Sequence, residues 1–192
     1  MKTLRKKTHF PYIKTILAFV LILLIVLGII LYIYPVKYVE IIDKYSKKYN
    51  ISPELICAII NTESGFNKNE VSPKGAKGLM QIMESTANWA ATTESIENYD
   101  YNNIFSPELN IQIGCWYISW LNKKFDNDKT LVLAAYNAGN GNITKWLQNP
   151  EYSKDGKTLS VIPFKETENY IKKVSSAERF YKHLLRLPLI GK

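Results

Sequence analysis

The chain has 192 residues, of which 46% are hydrophobic and 22% are charged, a balance typical of globular proteins that excludes disordered and fibrous classes. The formal net charge is +8. Five of the basic residues precede Thr15, in a segment without acidic residues, and the other 20 nearly balance the 17 acidic residues of the chain. Nucleic-acid-binding proteins concentrate Lys and Arg in the folded region that contacts phosphate. We therefore expect no nucleic-acid partner.

Residues 15–34 contain no charged side chain and, at about 1.5 Å per residue, can cross the roughly 30 Å hydrocarbon core of a lipid bilayer as one helix. A cleaved signal peptide is the alternative, but its apolar region is about 7–15 residues long and ends in small residues, unlike the tyrosines Tyr32 and Tyr34 here. The preceding basic residues predict a cytoplasmic tail over residues 1–14. The sequence thus predicts a single-pass protein of the cell membrane, with residues 35–192 as one domain outside.

After the apolar run, hydrophobic residues recur at helical spacing, which predicts an all-α domain. The first predicted helix covers residues 36–49. The second begins after Ser52, a favourable N-cap, with Pro53 at its first position, and it runs to Glu63 before a stop at Gly65. The predicted buried face of the first helix consists of Val39, Ile42, Tyr45 and Tyr49.

A third helix is predicted to begin at Ser106, as N-cap, and to bury one side. That side consists of Leu109, Ile113, Trp116 and Trp120. Asp128 is predicted to cap a fourth helix, which Gly139 and Gly141 end. A last helix is predicted over residues 166–187. Its buried face would consist of Tyr170, Val174, Ala177, Tyr181 and Leu184.

Residues 151–163 differ from the helical segments because a central turn is flanked by short apolar stretches, which predicts one small β-hairpin. The two cysteines, Cys57 and Cys115, both lie in apolar helical stretches. This position favours buried thiols over a disulfide, although an extracellular setting permits a bridge.

Glu63 lies at the carboxyl end of an apolar helix and shares a face with Ile59, four residues earlier. Burial raises the pKa of a carboxyl group, and a general acid that cleaves glycosidic bonds must keep its proton near neutral pH. The position alone is a weak signal, because a glutamate in the last turn of a helix is usually solvated. Its neighbours in the sequence make it stronger.

Glu63 opens the sequence ESGFN, which is followed by SPKGAKGLMQIM at residues 72–83. Three further blocks follow in order: AAYNAGNG at 134–141, IPF at 162–164 and ETENYIKKV at 166–174. In sequence and order these blocks resemble the lytic transglycosylase domain, the SLT domain of soluble lytic murein transglycosylases within the lysozyme-like superfamily. The resemblance covers nearly all of the chain outside the predicted anchor.

The resemblance implies a lysozyme-like helical fold that cleaves the glycan strands of peptidoglycan. From the residues themselves we expect no metal, and we expect no cofactor. It implies that Glu63 is both acid and base, that two serines shape the site, that Gln81 and Met83 line the cleft, and that two tyrosines approach Glu63. The implied substrate-binding residues are Ser64, Ser72, Gln81, Met83, Tyr136 and Tyr170. A glutamine side chain offers both a donor and an acceptor to an N-acetyl group.

The reaction that the resemblance implies uses one carboxyl group, whereas most glycosidases use two. Glu63 protonates the oxygen between N-acetylmuramic acid and N-acetylglucosamine, and its carboxylate then takes a proton from the muramyl C6 hydroxyl. The product is a 1,6-anhydromuramyl end. Because the attacking hydroxyl belongs to the same sugar, ring closure has an intramolecular advantage.

The sequence departs from the family pattern at three positions. Lys68 stands where the family usually has proline, Glu70 where a small residue is common, and Glu84 where a Met-Pro pair is usual. These changes affect loop rigidity and the charge at the cleft rim.

The main alternative function is a lysozyme-like hydrolase, whose second acid would come from Glu84, Glu94, Glu97 or Asp100. An inactive wall-binding scaffold is a further alternative, against which the intact Glu63 argues. A zinc peptidase is excluded, since His9 precedes the predicted anchor and His183 is the only other histidine.

Overall fold

The structure is a computed structural model that describes residues 11–97 and 99–186. Contacts divide the chain into two units after Pro35. The first contains helix α1, Pro11–Ile33, which covers most of the predicted 15–34 segment. This helix is long and apolar enough to cross a membrane, and its large apolar side chains are exposed.

The second unit begins at Val36 and is built from seven α-helices and one short 3₁₀ helix within its described residues. The α-helices are α2 Val39–Tyr49, α3 Pro53–Ser64, α4 Glu84–Glu94, α5 Pro107–Lys124, α6 Lys129–Ala138, α7 Asn140–Gln148 and α8 Lys165–Leu184, with the 3₁₀ helix at Tyr101–Asn103. Over residues 36–97 and 99–186 the only strand-like pairing is in isolated bridges. The predicted all-α class is therefore confirmed.

Helix α3 begins and ends as its sequence predicts. The Ser52 hydroxyl accepts a hydrogen bond from the backbone N–H of Leu55 at 3.3 Å, and Pro53 occupies the first turn. Gly65 ends the helix with φ of +57°, a left-handed conformation that favours glycine. Five consecutive residues from Ile56 to Ile60 are buried, and α3 packs mainly against α8. This packing fixes the position of Glu63 in the last turn.

Helix α5 crosses the core and packs against α2, α4 and α6. Trp116 on this helix is buried as predicted, but Trp120 is only half-buried, so its assignment to the core is wrong. The start of the helix is as predicted, although the Ser106 side chain forms no capping hydrogen bond. Cys57 in α3 and Cys115 in α5 are buried free thiols, as the sequence favours.

Two helix boundaries differ from the prediction because of backbone conformation. Helix α2 begins at Val39 rather than at residue 36, since Tyr38 adopts a left-handed φ of +58° that a continuous right-handed helix cannot contain. The Asp128 carboxylate caps α6 as predicted, accepting from the Leu131 N–H at 2.9 Å. Gly139 ends that helix, whereas Gly141 lies inside α7.

The predicted buried face of α8 is confirmed, because all five of its predicted residues are buried. The predicted end of this helix at residue 187 lies outside the described residues. Residues 151–163 form turns instead of the predicted hairpin. The reason is local: the Asp155 carboxylate accepts from the N–H groups of Lys157 and Thr158, both at 2.8 Å, which closes a turn that replaces strand pairing.

Candidate functional site

An open cleft of about 610 Å³ lies at the carboxyl end of α3. It is bordered by α3, by the long loop that joins α3 to α4, by the start of α4, and by parts of α5, α6 and α8. Its lining residues are Glu63, Ser72, Pro73, Lys74, Ala76, Gln81, Ile82, Met83, Thr86, Tyr117, Tyr136, Asn137, Ala138, Gly139 and Glu166. Three of the four sequence blocks contribute residues to this lining, and the block IPF at 162–164 contributes none.

The loop between α3 and α4, residues 65–83, forms one wall of the cleft and is tied down by its own backbone. Lys77 forms antiparallel bridges with Val71 and with Ile82. The Ser72 hydroxyl accepts from the Ala76 N–H at 3.0 Å, which closes the turn between Val71 and Lys77. The loop therefore has a defined shape although it contains no regular strand.

Asn110, on α5, holds the same loop from the protein interior. Its side-chain oxygen accepts from the Met80 N–H at 2.8 Å, and its nitrogen donates to the carbonyls of Lys77 and Ile104, both at 3.0 Å. Gly78 has φ of +79°, and a Cβ there would lie 2.3 Å from the Asn110 nitrogen. Glycine at this position is thus required both by backbone conformation and by the close approach of Asn110.

Glu63 is half-buried at the cleft, and this burial raises the pKa of its carboxyl group to about 7. Two residues of α8 act on this carboxyl in opposite directions. The Tyr170 hydroxyl faces it and lowers its pKa, while the negative charge of Glu166 raises it. A carboxyl group with a pKa near neutrality can both donate and accept a proton at physiological pH.

The Tyr170 hydroxyl is buried and has no partner at ordinary hydrogen-bond geometry among the described residues. Burial, followed by the charge on Glu63, raises the pKa of Tyr170 well above its usual range, so the hydroxyl keeps its proton. It is therefore a donor available to the Glu63 carboxylate. Tyr170 does not line the cleft, so its predicted position near Glu63 is observed without the predicted direct exposure to substrate.

Tyr136, on α6, lines the cleft, and its hydroxyl donates to the Met80 carbonyl at 2.8 Å. This bond joins the block AAYNAGNG to the block SPKGAKGLMQIM at the backbone. Because the proton of the hydroxyl is engaged with Met80, its oxygen remains able to accept a hydrogen bond from Glu63 or from a sugar.

Four of the six predicted substrate-binding residues line the cleft: Ser72, Gln81, Met83 and Tyr136. Ser64 does not: its hydroxyl lies 2.8 Å from the Leu79 carbonyl, to which it donates, with the Ile60 carbonyl as a second possible acceptor at 3.1 Å. Ser64 thus joins α3 to the cleft wall. The side-chain nitrogen of Gln81 donates to the carbonyls of Glu70 and Gly78, so a sugar would meet its oxygen. Contact of these residues with sugar stays a prediction.

Glu166 and Tyr117 are among the cleft-lining residues that the sequence prediction missed. Glu166 was detectable, since it opens the last sequence block and lies four residues before Tyr170, hence on the same helical face. Tyr117 was hidden within an apolar helix that reads as core. The acids suggested for a hydrolase do not line the cleft, and Glu94 instead binds Lys48 and Tyr49.

Residues 40–159 match the family described as Transglycosylase SLT domain. The chain is 36% identical over 154 residues to the soluble lytic murein transglycosylase of Salmonella typhimurium, covering 79% of this chain and 24% of that protein. It is 29% identical to membrane-bound lytic murein transglycosylase C of Salmonella arizonae, covering 76% of this chain and 46% of the relative.

Among solved structures, the 70 kDa soluble lytic transglycosylase of Escherichia coli matches with a TM-score of 0.71 and 32% identity, over 80% of this chain and 25% of that one. A complex of the 70 kDa soluble lytic transglycosylase with bulgecin A matches with the same TM-score, identity and coverage. The chain spans about a quarter of the length of these soluble relatives. The match over most of the second unit, together with the fold, shows that the chain belongs to the Transglycosylase SLT domain family.

Proposed function

We propose that this chain is a membrane-anchored lytic transglycosylase that cleaves the β-1,4 bond between N-acetylmuramic acid and N-acetylglucosamine in peptidoglycan. The observation that carries the proposal is the Glu63 carboxyl group, which lies in an open cleft where burial raises its pKa to about 7. The murein transglycosylases among its relatives support the substrate class.

The reaction proceeds in two proton transfers. Protonated Glu63 gives its proton to the bridging oxygen, the glycosidic bond breaks, and the N-acetyl group of the substrate stabilises the oxocarbenium-like carbon. The Glu63 carboxylate then takes the proton of the muramyl C6 hydroxyl as its oxygen bonds to that carbon. No water is consumed, the carboxyl group is restored, and a 1,6-anhydromuramyl end is formed.

Hydrolysis is the second candidate reaction, and one observation favours it. Glu166 also lines the cleft, and a second carboxylate on the other side of the sugar is what activates water in inverting glycosidases. The charge of Glu166 also acts on Glu63 by raising its pKa, which suits either reaction.

Product mass separates the two reactions, because hydrolysis consumes one water for each glycosidic bond cleaved and transglycosylation consumes none. Purified peptidoglycan digested with the full chain in ¹⁸O-labelled water should release muropeptides of anhydro mass that contain no label. Products that carry the label at the reducing end would show a hydrolase. No release of either product would favour the inactive scaffold.

We also propose that residues 15–34 cross the cell membrane, with residues 1–14 in the cytoplasm and the SLT domain outside. The uncharged run, the exposed apolar helix α1 and the basic residues before it support this topology. Protease added to intact protoplasts should remove the domain while a tag fused before residue 1 stays protected. If the tag were digested and the domain protected, the orientation would be the opposite of the one proposed.

A further inference from the structure

Aromatic side chains continue from the cleft along α5. Tyr117 lines the cleft, and the centre of its ring lies 5.6 Å from that of Tyr136, which also lines it. One helical turn farther along, the ring of Trp120 is nearly parallel to Tyr117, with an interplanar angle of 9° and 6.2 Å between ring centres. The aromatic surface thus begins in the cleft and leads to a residue outside its lining.

A second tryptophan joins this surface from α4. Thr86 lines the cleft, and Trp89 lies one turn later on the same helix. The Trp89 ring meets the rings of Trp116 and Trp120 edge to face, with 4.7 Å between ring centres in both pairs. Such contacts hold an indole ring in one orientation. We refer to Trp89, Tyr117 and Trp120 as the aromatic strip.

Trp89 keeps 38% of its surface exposed and Trp120 is half-buried, whereas Tyr117, Trp116 and Trp146 are buried. Tryptophan is highly buried on average, so a ring with more than a third of its surface exposed offers apolar area to a ligand. Polar groups border the strip: Lys124 lies over the Trp120 ring at 4.9 Å and donates to the Asn140 side chain at 2.8 Å. Because Lys124 covers one face of Trp120, Trp89 offers the more accessible ring.

We propose that the aromatic strip binds a sugar of the glycan strand beyond those held in the cleft. The inference rests on the proposed function, and it names a binding surface that the catalytic cleft does not include. The substrate is a polymer, so its next sugars must lie on surface contiguous with the cleft. The C–H face of a pyranose is apolar and stacks on aromatic rings, while its hydroxyl groups need polar neighbours such as Lys124 and Asn140.

The test compares strands of two lengths. The full chain and its Trp89→Leu variant are each given an uncrosslinked peptidoglycan tetrasaccharide and a dodecasaccharide, and kcat/KM for release of anhydro ends is measured for both. The variant should lower the ratio of the long-strand to the short-strand value by about fivefold or more. A fivefold decrease corresponds to the lower end of the free energy that one ring-stacking contact contributes, about 1 kcal/mol. Trp89→Tyr, which keeps a ring, should restore most of the ratio.

Tyr99→Leu is the matched control, since Tyr99 is a half-buried aromatic residue just after α4 that neither lines the cleft nor belongs to the strip. It should leave the ratio unchanged. A second measurement needs no change in the strip: in the Glu63→Gln chain, tryptophan fluorescence should shift on binding of the dodecasaccharide and not of the tetrasaccharide.

Equal fluorescence changes with both strands, or an unchanged ratio in a folded Trp89→Leu, would overturn the strip proposal while the proposed function stands. If the unaltered chain releases no anhydro ends from either strand, the proposed function fails instead.

Discussion

The side-chain amide of Asn110 satisfies the backbone N–H of Met80 at 2.8 Å, inside the core and directly behind the cleft wall. The same amide donates to two further backbone carbonyls, of Lys77 and Ile104. Among the described residues the loop has no neighbouring strand at these positions, so one buried side chain on α5 forms the hydrogen bonds that such a strand would form. The shape of the cleft depends on this residue without its touching the substrate.

Asn110→Ala would leave the Met80 N–H and the Ile104 carbonyl without their partner, each costing about 1–3 kcal/mol, while the Lys77 carbonyl keeps the Ile82 N–H at 2.9 Å. We expect the free energy of unfolding of the full chain in detergent to fall by at least about 2 kcal/mol, with loss of activity in the protein that remains folded. Asn69→Ala, at an exposed position of the same loop, should change stability by less than about 0.5 kcal/mol. Denaturant titration measures both, and equal values would contradict the role of Asn110.

Met80 has a second close neighbour across the core. A Cβ at Gly114 on α5 would lie 2.3 Å from the Met80 sulfur and 3.1 Å from its Cβ. Alanine is normally better than glycine within a helix by about 1 kcal/mol, but here Gly114→Ala should destabilise the protein because buried Met80 must move. Met80→Val, which removes the sulfur, should recover part of the loss in the double variant. Additive losses in a double-mutant cycle would contradict the contact.

The opposite effects of Tyr170 and Glu166 on Glu63 predict opposite shifts in the pH dependence of activity. Glu166→Gln removes a negative charge, so the pKa of Glu63 should fall and the alkaline limb of kcat/KM should move to lower pH. Tyr170→Phe removes a donor to the carboxylate, so that pKa should rise and the limb should move to higher pH. The measurement is the pH profile on purified peptidoglycan. Shifts in the same direction would show that neither residue acts through Glu63.

The raised pKa of Glu63 also has a cost in stability that depends on pH. Below pH 4.5, the ordinary pKa of the group, it is protonated in both folded and unfolded chains and contributes nothing. Between pH 4.5 and about 7 the folded chain holds a proton that the unfolded chain releases, so this contribution to stability falls as pH rises. The free energy of unfolding of Glu63→Gln, measured relative to that of the parent chain, should therefore rise across that window. The difference gained should reach about 3 kcal/mol above pH 7. A difference independent of pH would contradict the shift.

The parts of the fold that depend on neighbouring residues could be predicted from sequence, and those that depend on distant contacts could not. Helix α3 and its caps lie within residues 52–65, and they are observed as predicted. The partner of Ser64 is the Leu79 carbonyl, 15 positions away, so its structural role had no local signal. Likewise, the spacing within α5 predicted Trp120 to be core, and it gave no signal that this ring lies half-buried in contact with Trp89 of another helix.

In the candidate site, too, features set by local sequence could be predicted, and features set by contacts between distant residues could not. Four of the predicted residues line the cleft because family motifs place them there. The effect of Glu166 on Glu63 requires α8 to pack against α3, and no pattern within either helix indicates that contact. The predicted hairpin was wrong because the side chain of Asp155 competes for the N–H groups that a strand would use.

The central claim is that the Glu63 carboxyl group carries both proton transfers while the substrate supplies its own nucleophile. Glu63→Gln keeps the shape of the side chain and removes both functions, each worth roughly 10²–10⁴-fold in rate. The direct measurement is the rate at which this variant, verified as folded by its melting temperature, releases 1,6-anhydromuropeptides from purified peptidoglycan. The rate should fall by at least about 10²-fold relative to the parent chain. A folded Glu63→Gln protein that releases anhydro products at the parent rate would contradict the assigned mechanism.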